Sequence, residues 1–276
     1  MTGKWSVIKN LFWIAATGIC LLAVVVGLVI ASVNRYGGES FSTSSEIKSE
    51  SVEDSGNVTQ LTPSTSGGAL MQLGETKDAG QEYIDRLTFL CDSTSIGMRN
   101  YGLLSGGTNT TQVWGTNSGS LRVSELMNGT IIFPSDGSEV TIADAAMISK
   151  PEILVICVGQ DGLNNVDETS FKASYTAMLN NIRTASPNTT IICCSISSVP
   201  NNYNGADKLT TIMISDANDW IRDICENTGV YFCDSGKSVG DGTGSVKESY
   251  LSTNAKTLNP DGINKVLEYL RTHAIT

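Results

Sequence analysis

Histidine is nearly absent: one residue, His273, in a chain of 276. That scarcity leaves acid–base chemistry short of its commonest side chain. Basic residues are also few, 18 Lys and Arg against 28 Asp and Glu, for a formal charge of −10. A nucleic-acid partner would want a basic face, so none is expected. The cysteines form no Cys-x-x-Cys pair, which removes the common zinc modules. No Gly-rich loop of Walker type is present either, so the P-loop nucleotide class drops out. The expectation is a protein with no metal and no cofactor.

Charge is missing altogether from Leu11 to Val33, a run dominated by Leu, Ile, Val and Ala. A helix of about 20 such residues spans the hydrocarbon core of a bilayer. Lys4 and Lys9 precede the run, and Glu39, Glu46, Glu50, Glu53 and Asp54 outnumber the cations after it. Lys/Arg bias then keeps the N-terminus in the cytoplasm and sends the remainder across. A cleaved signal peptide is the competing reading, but its apolar core runs only about 7–15 residues. Residues 1–36 therefore read as a cytoplasmic stub and transmembrane anchor. This predicts a single-pass protein of the cell membrane with an extracytoplasmic C-terminal domain. Residues 37–79 are Ser, Thr, Gly and Glu without an apolar period. Such composition cannot bury enough surface to offset its ordering entropy, so it reads as a disordered tether.

Residues 80–276 are patterned as a folded domain. Leu87 to Leu90 is a short apolar run that breaks into Cys91-Asp92-Ser93-Thr94-Ser95. A Gly- and Thr-rich region follows, with β-prone pieces at Thr111–Trp114, Leu121–Val123 and Thr130–Phe133. A short helix is expected over Thr141–Ser149. Glu152–Val158 and Thr190–Ile196 are continuous apolar runs, the mark of strands buried on both faces. Helical spacing of apolar residues marks Asp167–Ala185, Ala206–Asn227 and Pro260–Ala274, and Val230–Cys233 adds a strand. Alternating strands and helices predict an α/β fold, a three-layer α/β/α sandwich with a mostly parallel sheet.

In such folds the functional groups lie at the carboxyl ends of strands. Here those ends carry Asp92-Ser93, Gly159-Gln160-Asp161-Gly162, Ser197-Ser198 and Asp234-Ser235, with the loop Asn254–Asn259 before the last helix. Phe89-Leu90-Cys91-Asp92-Ser93, Val158-Gly159-Gln160-Asp161-Gly162 and Leu258-Asn259-Pro260-Asp261-Gly262 together resemble the sequence blocks of the SGNH/GDSL hydrolases, in the membrane-anchored Gram-positive branch. The resemblance runs from about Tyr83 to the C-terminus. It implies acyl transfer through a serine, with a His as base, an Asp orienting it, and a Ser N–H, a Gly N–H and an Asn side chain holding the oxyanion.

Carried over residue by residue, the resemblance puts Ser93 at the nucleophile and Asp92 beside it. Cys91 stands where the family has Gly, and Asp161 where it has the oxyanion Asn. Gly106, Gly107 and Gly115 are alternatives for the oxyanion Gly. Asn254 falls on the triad Asp and Thr257 on the triad His, so the histidine is missing. A second register, with Asp261-Gly262-Ile263-Asn264 on that block, lacks it too. His273 lies about 12 residues into the closing helix, about 18 Å along its axis, too far to serve; at a helix C-terminus it makes a favourable dipole contact instead. Loss of a triad member leaves roughly 10³–10⁴-fold catalysis over water, and loss of an oxyanion donor costs about 10²–10³. The reading is an SGNH-type protein with a degenerate site that binds an acylated glycan or ester. The alternative is a working serine esterase that uses an unrecognised base. Six of the cysteines lie beyond the expected anchor, an even number that outside a membrane suggests disulfides. Four of them fall on core strands, where free thiols pack as small hydrophobes, and buried thiols are the favoured of the two readings.

Overall fold

A computed structural model describes residues 69–275. The expected anchor and the expected tether up to residue 68 lie outside the described residues. Among the described residues, no helix is long and apolar enough to cross a membrane.

In chain order the strands are β1 (Met71–Gln72), β2 (Leu87–Cys91), β3 (Val113–Trp114), β4 (Thr130–Ile132), β5 (Glu139–Thr141), β6 (Ile153–Cys157), β7 (Thr190–Cys194) and β8 (Tyr231–Cys233). The helices are α1 (Gly80–Asp85), α2 (Gly97–Asn100), α3 (Ile142–Ser149), α4 (Glu168–Ala185), α5 (Thr211–Thr228) and α6 (Pro260–Thr272). Six strands form one sheet in the order β1-β8-β7-β6-β2-β3, and every pairing in it is parallel. Strands β4 and β5 form a separate antiparallel hairpin.

Parallel strands need crossover helices, and these cover both faces. Leu90, Leu154, Ile156, Cys193 and Phe232 pack with α3, α4 and α5 on one side. Phe89, Val155, Ile192 and Cys194 pack with α1, α2 and α6 on the other. Period-two alternation of buried side chains within continuous apolar runs thus builds two cores on one sheet. Each fully buried large apolar side chain contributes about 1.5–3 kcal/mol. The longer helices begin where a polar side chain accepts an orphan N–H. Asp167 takes that of Ser170, Thr210 that of Met213 and Asn259 that of Gly262.

Several expectations need correction. The helix expected from Ala206 starts at Thr211, because Lys208 adopts a left-handed backbone (φ 53°) and Thr210 supplies the cap. Leu121–Val123 is not a strand; the Leu121 and Val123 N–H groups turn to Asp161, and that of Arg122 to the Glu125 carboxylate, instead of a ladder. Order also reaches upstream of the expected boundary at 79/80. Met71 and Gln72 pair with Tyr231 and Phe232. The following segment then runs along the end of α6, where the Thr76 N–H donates to the Thr272 carbonyl and the Ala79 N–H to that of Arg271. In return the Ala274 N–H donates to Thr76 Oγ1.

The chain leaves β2 toward β3 on one side, and the later strands build outward from β6 on the other. The crevice between the carboxyl ends of β2 and β6 is therefore the switch point of the sheet, where α/β folds bind ligands.

Candidate functional site

The β2 ladder continues one step past Cys91, where the Asp92 N–H donates to the Cys157 carbonyl at 3.2 Å. The buried Asp92 carboxylate then ties the two strand ends together. One oxygen accepts the Gly159 and Gln160 N–H groups, each at 3.1 Å. The other accepts the Thr94 N–H at 3.0 Å and the Thr94 hydroxyl at 2.6 Å. Burial first, and the Asp161 charge second, push Asp92 up to about 6 against these hydrogen bonds. Asp92 is thus a strut that fixes the loop carrying Ser93. Gly159 is required for it: φ is +138°, and a Cβ there would stand 2.9 Å from Ile196 Cδ1.

Ser93 is held against Asp161. Its N–H donates to Asp161 Oδ2 at 3.0 Å and its hydroxyl to Oδ1 at 2.6 Å. The Leu121 N–H donates to the same Oδ2 at 3.2 Å. Two backbone N–H groups and the serine hydroxyl therefore converge on a carboxylate. In an acyl-transfer site such N–H groups would face the developing oxyanion. Lys256 Nζ completes the arrangement at 3.2 Å from Asp161 Oδ1 and 3.0 Å from Asp207. The Tyr203 hydroxyl donates to Asp207 at 2.9 Å. Burial works to raise Asp161, but the Ser93 hydrogen bonds and the Lys256 charge outweigh it and hold the carboxyl below its ordinary value. Burial likewise opposes the Lys256 charge, and Asp207 with Asp161 outweighs it, so the amine is raised. At neutral pH the group beside Ser93 is a carboxylate paired with an ammonium. Neither has a pKa near 7, where a general base is most effective.

Asn254 and Thr257, the positions matched to the triad, make their hydrogen bonds inside their own loop. Asn254 Oδ1 accepts the Lys256 and Thr257 N–H groups, each at 2.9 Å. Thr257 Oγ1 lies 2.6 Å from Ser252 Oγ. Neither side chain bonds Ser93. What the loop delivers to the site is Lys256. His273 caps α6 at its far end, stacked on Tyr269 with ring centroids 3.7 Å apart. Of the three glycines, Gly115 alone follows a strand of the main sheet, the edge strand β3, bridging Ile132, while Gly106 and Gly107 form a turn. Two participants are thus additional to those read from the sequence: the Leu121 N–H, which has no side-chain signature, and Lys256, the only cation between Asn254 and Thr257. Among the described residues no cluster of His, Cys, Asp or Glu has the geometry of a metal site.

The structure is an α/β fold with a parallel six-stranded sheet, consistent with the SGNH hydrolase fold, and it sets Asp-Ser after β2 and Gly-Gln-Asp after β6 facing each other across the switch point. The family described as GDSL-like Lipase/Acylhydrolase matches residues 135–260, a span that takes in Asp161 and the 254–259 loop but begins after Ser93. A crystal structure of a candidate acylhydrolase from Bacteroides fragilis superposes with a TM-score of 0.50 at 13% identity, over 72% of this chain and 88% of that one. A candidate GDSL-like lipase from Parabacteroides merdae gives 0.48 at 13%, over 73% and 98%. A family 3 carbohydrate esterase from Clostridium thermocellum gives 0.47 at 16%, over 68% and 93%. No curated protein sequence matches the chain.

Proposed function

We propose that this protein is a membrane-anchored, extracytoplasmic member of the SGNH-fold group whose site has lost efficient ester hydrolysis and binds an acylated glycan or ester. Residues 1–36 serve as the anchor and the following Ser/Thr-rich segment as a tether that presents the folded domain outside the cell. The observation that carries the loss of catalysis is the pairing of Ser93 with Asp161. The carboxylate takes both the hydroxyl and the N–H that a serine hydrolase needs free. A negative charge at that point opposes the charge that develops on a carbonyl oxygen. Asp161 is also too weak a base to activate the hydroxyl, and Lys256 is charged. The ligand class follows from the resemblance: a crevice shaped for an acyl ester keeps that shape when its catalytic groups change.

The test is turnover of a small activated acetate ester by the purified full-length protein, with Ser93→Ala alongside. Equal rates in the two are expected. Turnover that vanishes in Ser93→Ala overturns the proposal. A combined Asp161→Asn, Asn254→Asp and Thr257→His variant is expected to gain turnover that depends on Ser93. Binding is read separately, by calorimetry with an O-acetylated oligosaccharide and its deacetylated form. Equal heats for the two would remove the acyl group from the proposed ligand.

A further inference from the structure

Four cysteines stand side by side across the sheet. Cys91 pairs with Cys157 and Cys194 with Cys233. The step after the Ile156–Cys193 pair sets Cys157 beside Cys194. All four side chains fall on the α6 side of the sheet, whereas Cys193 and Cys225 pack on the opposite side. Neighbouring parallel strands lie about 4.8 Å apart, within the Cα separation of about 4.4–6.8 Å that a disulfide spans. Access then separates the pairs. Cys91 and Cys233 are fully enclosed. Cys157 is partly exposed, and Cys157 and Cys194 together form part of the wall of a cavity between the strand ends and α6.

We propose that Cys157 and Cys194 are a reactive dithiol that exchanges with a small-molecule disulfide and closes to an intramolecular bridge. The Cys157 sulfur, the accessible one, attacks the incoming disulfide and forms a mixed disulfide. Its proton leaves with the first expelled thiol. Cys194 then attacks the Cys157 sulfur and expels the second thiol, which takes the Cys194 proton. Two protein thiols are oxidised and one external disulfide is reduced to two thiols. The Cys157 thiol donates to Cys194 in the dithiol, and that hydrogen bond together with burial holds Cys157 protonated, so its proton must leave as the sulfur attacks. Once Cys157 is capped, the Cys233 thiol remains the donor to Cys194.

The pair is joined to the Ser93 loop. The Cys157 carbonyl accepts the Asp92 N–H at 3.2 Å and the Ser95 hydroxyl at 2.8 Å. Closing the bridge draws the ends of β6 and β7 together and loads both contacts, so the redox state of this pair reaches the candidate site through one carbonyl.

The experiment treats the folded full-length protein with glutathione disulfide, blocks remaining thiols with N-ethylmaleimide and maps the peptides by mass spectrometry. Fragmentation must separate Cys193 from Cys194. The expected result is a Cys157–Cys194 linked peptide, with two glutathione thiols released per bridge. A Cys194→Ser variant should instead accumulate glutathione on Cys157. Absence of the linked peptide in the wild type, or a bridge mapped to another pair, overturns the proposal; the wild-type map decides even if the variant fails to fold. Amide exchange at Asp92 should change between the dithiol and the bridged protein, and an unchanged rate would remove the link to the Ser93 loop.

Discussion

Ser93 Oγ and Lys256 Nζ converge on one oxygen of Asp161, at 2.6 and 3.2 Å. The hydroxyl and the ammonium are donors to the same carboxylate, so each helps to keep it charged. Replacing Lys256 by Met leaves Asp161 and Asp207 without their shared cation. Breaking a largely buried ion pair from one side costs about 3–5 kcal/mol. That loss is expected at pH 7 by urea denaturation, and it should shrink in acid as Asp161 takes up a proton. Adding Asp161→Asn to Lys256→Met should recover much of it, and a double mutant no more stable than the single one would contradict the pairing.

Asp92 gives a pH signature of the opposite sign to that of an ordinary paired carboxylate. Its ordinary value is 3.8 and in the fold it rises to about 6. Between those values the folded protein holds a proton that the unfolded chain has released. The stability Asp92 contributes is therefore full below about pH 4 and is lost as pH rises to about 6. Asp161, held low, acts the other way: its contribution is present above pH of about 4 and lost as pH falls. The wild-type advantage over Asp92→Asn should accordingly narrow from pH 4 to pH 6. Unfolding free energies measured in urea at these pH values check the sign, and a widening difference would refute it.

Gly159→Ala combines a backbone in the positive-φ region with a 2.9 Å approach to Ile196. A loss of about 1–3 kcal/mol is expected. The Gly159 N–H is one of the four donors to Asp92, so the change should also raise amide exchange at Thr94.

Asn254→Ala removes the acceptor for two loop N–H groups. The expected cost is about 1 kcal/mol, with faster amide exchange at Lys256 and Thr257. Any Ser93-dependent turnover gained or lost in this variant would mean that Asn254 acts on the site directly.

Much of this architecture was legible because periodicity carries it. The continuous run Ile153–Cys157 and the helical spacing through Phe171, Tyr175, Met178 and Ile182 led to β6 and α4. Two-residue β1 was not legible, since Met71 and Gln72 are both exposed and their strand character comes from backbone pairing with β8. At the site, Ser93, Asp92 and Asp161 could be singled out by side-chain chemistry at strand ends. That Asp161 would fill the pocket beside Ser93, and that Lys256 would reach it, depends on how a loop distant in sequence folds back.

The clasp between the segment after β1 and the end of α6 has a further consequence. Thr76 both donates to Thr272 and accepts from Ala274, so the opening and closing stretches of the folded region cannot fray independently. A soluble fragment cut at the expected boundary, residue 80, would shed one edge of the sheet and also release the last turn of a helix nearly two hundred residues away in the chain. A cut before residue 69 keeps both halves of the clasp, and the two fragments should differ in how readily proteases trim their carboxyl ends.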